Sequence, residues 1–168
     1  DATLVLTDRS IAESAVTGAE AVAGDLADPV FRAGLLNPGF DLVFHLASVP
    51  GSLAERDQEA GLQVNLHAPI SLATEVAARR PGARFVFASS IAVYGALSGE
   101  TVTQMTPTNP LITYGAHKLM MELLLSDMTR RGALSGISLR FPGIVARPPG
   151  ESGHGSAFIS QIFHHIAA

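Results

Sequence analysis

Tyr114 and Lys118 stand four residues apart in the segment Tyr114-Gly-Ala-His-Lys118. In a helix that spacing stacks them on one face, one turn apart. A phenol is ordinarily a poor base, but a neighbouring ammonium favours its phenolate. A tyrosine so flanked can exchange a proton with an alcohol or a carbonyl near neutral pH. The chemistry also needs a donor that holds the substrate oxygen, and Ser90, at the end of an apolar run, is placed for it. Lys118 is the single lysine among 11 basic residues. The sequence therefore uses arginine elsewhere, and the two residues differ in what they can do. The plain alternative is a tyrosine that opens a helix and a solvated lysine.

The elements that must position these residues follow from pattern. Thr3–Thr7, Asp41–Leu46, Arg84–Ala88 and Ile137–Phe141 read as four apolar strands. Asp28-Pro29 opens a helix to about Leu36, with Pro29 suited to a first turn. Leu53 to Arg80 reads as mostly helical, Ile91 to Ile112 as a loop, and Tyr114 to Arg131 as a helix stopped by Gly132. Alternating strands and helices predict an α/β protein with a doubly wound parallel sheet. Ligands of such sheets bind beyond the carboxyl ends of the strands. Those ends are Asp8, Leu46-Ala47-Ser48, Ser89-Ser90 and Phe141-Pro142-Gly143. Ala146–Gly155 reads as a loop and Ser156–Ala167 as a helix.

Composition narrows the classes. With 168 residues, 47% hydrophobic and 15% charged, the chain has a globular balance. The net charge of -4 and the lack of a basic cluster give no footprint for nucleic acid. With no cysteine, thiolate metal sites and disulfides are excluded. His164 and His165 are adjacent and diverge on a helix, so no metal is expected. No apolar run reaches spanning length and the start does not read as a signal peptide, which makes a cytoplasmic protein off the membrane the expectation.

Phe87-Ala-Ser-Ser-Ile-Ala-Val-Tyr-Gly95 followed by Tyr114-Gly-Ala-His-Lys118 resembles the extended short-chain dehydrogenase/reductase family, which includes sugar-nucleotide epimerases and dehydratases. The resemblance implies a Rossmann-like fold, NAD as cofactor, a small-molecule substrate and a homodimer formed by the long helices around Asn65 and Met120. It puts the catalytic set on Ser90, Tyr114 and Lys118, with Lys118 also binding the nicotinamide ribose. It implies cofactor contacts at Asp8, Asp25, Leu26, Leu46, Ala47, Asn65 and Pro142. Asp8 ends a strand, where a carboxylate accepts both ribose hydroxyls and repels a 2′-phosphate. As ordinary structural residues, Asp8 would be a turn aspartate, Asp25 a loop residue and His45 a core histidine. Within the family, Val64-Asn-Leu, Thr113-Tyr-Gly-Ala-His-Lys, Arg130-Arg-Gly and Arg147-Pro resemble the D-erythronate dehydrogenase group of sugar-acid dehydrogenases. Arg147 would then hold the substrate carboxylate as a bidentate pair.

The family's opening strand and Gly-x-x-Gly-x-x-Gly turn, which seats a pyrophosphate on a helix N-terminus, has no counterpart before Asp8. The expectation is residues 1–143 as an NAD-binding domain incomplete at its start, and 144–168 as the beginning of a substrate region cut short. Two other readings compete with the dehydrogenase. One is a sugar-nucleotide epimerase; a dehydratase is disfavoured by Ile91 and Ala92, where it would carry an acid–base pair. The other is a non-catalytic NAD(P)-binding protein.

Overall fold

The computed structural model describes residues 2–11, 17–97, 99 and 101–143. The expected alternation is present, with strands β1 (Leu4–Asp8), β2 (Ala19–Ala23), β3 (Leu42–His45), β4 (Arg84–Ser90) and β5 (Ser135–Phe141). The main helices are α1 (Pro29–Leu35), α2 (Gly51–Arg56), α3 (Gln58–Leu62), α4 (Ala68–Arg79) and α5 (Thr113–Arg130). Every strand pair is parallel.

Two expectations need correction. Four strands become five, because Ala19–Ala23 (Ala-Glu-Ala-Val-Ala) pairs residue for residue with β1. Its alanines have little strand propensity, and tertiary pairing decides its state. The continuous helix from Leu53 to Arg80 is broken. Asp57 leaves helical geometry and its carboxylate caps α3 through Ala60 N at 3.0 Å. A π-turn over Gln63–His67 then precedes α4. The strands form two parallel sheets, β1-β2 and β3-β4-β5, and β1 and β3 are not paired with each other.

Phe85 and Phe87 of β4 are buried against Leu72 and Val76 of α4 and Met121 and Leu125 of α5. This core fixes α5 over the sheet. Arg32 of α1 donates to Glu75 of α4 at 2.9 Å and to the Leu26 carbonyl at 2.7 Å, tying the β1-β2 layer to the larger one. Between the layers runs an apolar groove of about 530 Å³, walled by Leu4–Asp8 of β1 and by Leu42–His45 of β3 with Leu46 and Ala47. Among the described residues no helix is long and apolar enough to cross a membrane.

Candidate active site

The carboxyl ends of β3 and β4 meet the first turns of α5. Ser90 ends β4 and its Oγ accepts Ala92 N at 3.2 Å, so the serine caps a 3-10 turn over Ile91–Tyr94. α5 starts tight against that turn: a Cβ on Gly115 would lie 2.5 Å from the Ala92 carbonyl oxygen. Gly95 closes the turn at φ +70°, where a Cβ would meet the Asn109 carbonyl oxygen at 2.0 Å. Both glycines are required by close backbone approach. The N-terminus of α5 has no cap from its own chain neighbour. The Glu55 carboxylate of α2 supplies one, accepting from Thr113 N and putting negative charge at the positive end of the helix dipole.

Lys118 is 1% exposed. Its Nζ donates to the Ala88 carbonyl at 2.8 Å, lies 4.7 Å from the Phe87 ring centre and 5.4 Å from that of Tyr114. Burial pulls its pKa down to about 8, since a low-dielectric surrounding disfavours the charged form. It is still mainly an ammonium at neutral pH, with two N–H donors beyond the one given to Ala88. Tyr114 is half-buried one turn before it. It neighbours Gly51, where the chain returns from β3. The structure thus brings Tyr114, Lys118 and the Ser90 turn to one end of the sheet.

His45 is buried at the end of β3, its ring 5.7 Å from that of Phe87. Burial first, and the Lys118 charge second, lower its pKa to about 4, so it is neutral at pH 7. His45 Nδ1 and Thr7 Oγ1 are buried without a hydrogen-bond partner, and both residues line the groove. Buried polar atoms left unpaired are uncommon. With the exposed Asp8 carboxylate and the spare Lys118 donors they suit a polar ligand lying across the strand ends. A dinucleotide fits that donor set at its two ribose ends. Asp8, Leu26, Leu46 and Ala47 all line the groove, and Asp8 Oδ1 accepts Arg9 N at 2.6 Å.

The other sequence candidates fall elsewhere. Asp25 is exposed and its carboxylate accepts Ala27 N at 2.8 Å, a turn role. Pro142 is exposed just beyond β5. Asn65 is 1% exposed within the π-turn. Its Oδ1 accepts Val49 N at 2.8 Å and its Nδ2 donates to the Val49 carbonyl at 3.1 Å. Its amide thus clamps the loop that leaves β3 rather than facing a ligand. Arg147, Ser156–Ala167, His164 and His165 lie outside the described residues. Sequence reasoning missed Glu55, Glu122 and Arg140. Glu122 carried a signal, standing one turn beyond Lys118; Glu55 and Arg140 carried none, because their partners are remote in sequence.

Parallel sheets, ligand-suited strand ends and a Tyr-x-x-x-Lys helix define a Rossmann-like nucleotide-binding protein. The family described as NAD dependent epimerase/dehydratase matches residues 2–168, and the chain belongs to that family, whose cofactor is NAD. It is 40% identical over 141 residues to the D-erythronate dehydrogenase of Cupriavidus necator, covering 84% of this chain and 44% of that protein. It is 37% identical over 128 residues to the D-erythronate dehydrogenase of Haemophilus influenzae, covering 76% and 41%. Among solved structures it resembles the nucleoside-diphosphate-sugar epimerase of Agrobacterium tumefaciens, with 34% identity, a TM-score of 0.80 and coverage of 92% of this chain and 48% of that one. The chain thus spans less than half the length of these relatives.

Proposed function

We propose that the protein is an NAD-dependent dehydrogenase that oxidises a secondary alcohol of a sugar acid, with Ser90, Tyr114 and Lys118 acting on the substrate. The observation that carries this reading is the buried Lys118 ammonium, 5.4 Å from the Tyr114 ring centre and bonded to the strand end that leads to Ser90. NAD, when bound, supplies the acceptor for the hydride leaving the carbinol carbon. Ser90 donates a hydrogen bond to the substrate oxygen and orients it. Tyr114, as phenolate, takes the hydroxyl proton while the C–O bond becomes a carbonyl. Lys118 sets its ammonium beside the Tyr114 ring and turns its spare N–H donors to the ribose hydroxyls. Asp8 accepts the adenosine ribose hydroxyls and selects NAD over NADP. Leu26, Leu46, Ala47 and Pro142 line the cofactor's path, and Asn65 acts through the Val49 loop. Arg147 binds the substrate carboxylate.

D-erythronate is the first substrate to test, given the identity to two enzymes named for it. The second reading is a sugar-nucleotide epimerase with the same three residues, favoured by the likeness to the Agrobacterium tumefaciens structure. A panel of four-carbon sugar acids and UDP-sugars, followed by nicotinamide absorbance and by product stereochemistry, separates them. Net NAD reduction with D-erythronate supports the dehydrogenase. Inversion of a UDP-sugar without net reduction overturns it. A homodimer and a cytoplasmic location belong to the same reading. The exposed Met120 and Leu123 on α5 suit a dimer seam, whereas Asn65 faces inward.

A further inference from the structure

Glu122 stands one turn beyond Lys118 on α5 and has no part in the chemistry above. Its side chain is 10% exposed, and its carboxylate is fully engaged. It accepts from Ser89 Oγ. It accepts Arg140 Nε on its two oxygens at 3.0 and 3.1 Å, and Arg140 Nη2 at 2.6 Å. Arg140 sits on β5 in register with Ser89 of β4. Its remaining arm, Nη1, donates to the Tyr94 hydroxyl at 2.9 Å. Ser89 is the residue before Ser90, and Tyr94 is the last residue of the turn that Ser90 caps. The pair therefore grips both ends of the segment that carries Ser90.

A largely buried ion pair is weak evidence for net stability, whereas a forked Arg–carboxylate pair fixes geometry. Both outward contacts of this pair bracket Ser90. We propose that Glu122, with Arg140, is a positioning residue that sets the direction of the Ser90 hydroxyl by holding Ser89 and Tyr94. The proposal rests on the reading of Ser90 as the donor to the substrate oxygen.

Glu122→Gln removes the charge and risks the fold, so the test uses the two outer arms. Ser89→Ala and Tyr94→Phe are made in the enzyme that carries this chain, each leaving Glu122 and Arg140 paired. The substrate is whichever probe of the panel above is turned over. Each variant should lower kcat about tenfold to a hundredfold, the scale of a misplaced reacting group, with KM for NAD within about twofold. In a Ser90→Ala background neither change should lower kcat further, because the effect runs through Ser90. If kcat stays within about twofold of wild type in both, the proposal is wrong. An equal loss with and without Ser90 overturns it too. Tyr114→Phe is the control: near wild-type turnover there overturns the functional reading itself, whereas a dead Tyr114→Phe beside active arm variants overturns only the role of Glu122.

Discussion

His45 and Lys118 are two buried titratable groups, and burial is the first cause of the lowered pKa in each. His45 loses its charge through burial and through the Lys118 field. Lys118→Met removes the second cause, so the His45 pKa should rise, read from its imidazole signals in an NMR titration. No upward movement would show that burial acts alone. The same group links stability to pH. The folded-state value of about 4 lies below the ordinary 6.5, so the unfolded chain binds the proton first. Stability is therefore fully present above pH 6.5 and is lost as pH falls toward 4, by at most about 3 kcal/mol from this group. His45→Phe should flatten that dependence in urea unfolding at several pH values; an unchanged slope would assign the loss to other groups. The Tyr114–Lys118 pairing was legible because helical spacing is a local property. The carbonyl that Lys118 binds was not, since Ala88 lies thirty residues away in sequence and only the sheet brings it near.

At the scale of elements, the π-turn over Gln63–His67 holds Asn65 where both ends of its amide reach Val49. Asn65→Ala would leave the Val49 N–H and carbonyl short of partners at a part-buried site, a loss of about 1–3 kcal/mol. The loop after β3 should loosen, and NAD binding in the enzyme should weaken about tenfold by calorimetry, while kcat at saturating NAD changes little. Unaltered NAD affinity would detach this clamp from the cofactor. Asn65 was singled out in the sequence as a cofactor contact, but its route of action was not visible. Apolar periodicity detects a helix, and it does not register the one-residue insertion that makes a π-turn and rotates a side chain away from its expected face. The helix ends were clearer where chemistry marks them. Asp28 accepts Val30 N at 2.8 Å and Pro29 opens α1, as the Asp-Pro pair indicated. The cap of α5 was hidden, because Glu55 comes from another helix.

At the scale of the whole molecule, the groove between the layers has an apolar wall. Phe44 and Leu46 are 62% and 66% exposed, and β1 and β3 each pair on one side only. Open strand edges with apolar faces favour association. No described segment offers a glycine turn at a helix N-terminus for a pyrophosphate. The 168-residue chain by itself should therefore bind NAD weakly and be prone to self-association. Tight stoichiometric binding in a calorimetric titration would contradict this. The parallel α/β architecture was legible from strand–helix alternation.

In the proposed reaction Tyr114 exchanges the proton while hydride leaves the substrate carbon. Its most direct test compares wild-type and Tyr114→Phe enzymes, both containing this chain, for NAD reduction with D-erythronate, alongside NAD binding to each. The Phe variant should bind NAD as the wild type does and lose about a hundredfold to ten-thousandfold in kcat, the range for a general acid–base group. A Phe variant that turns over at a rate close to wild type would contradict it.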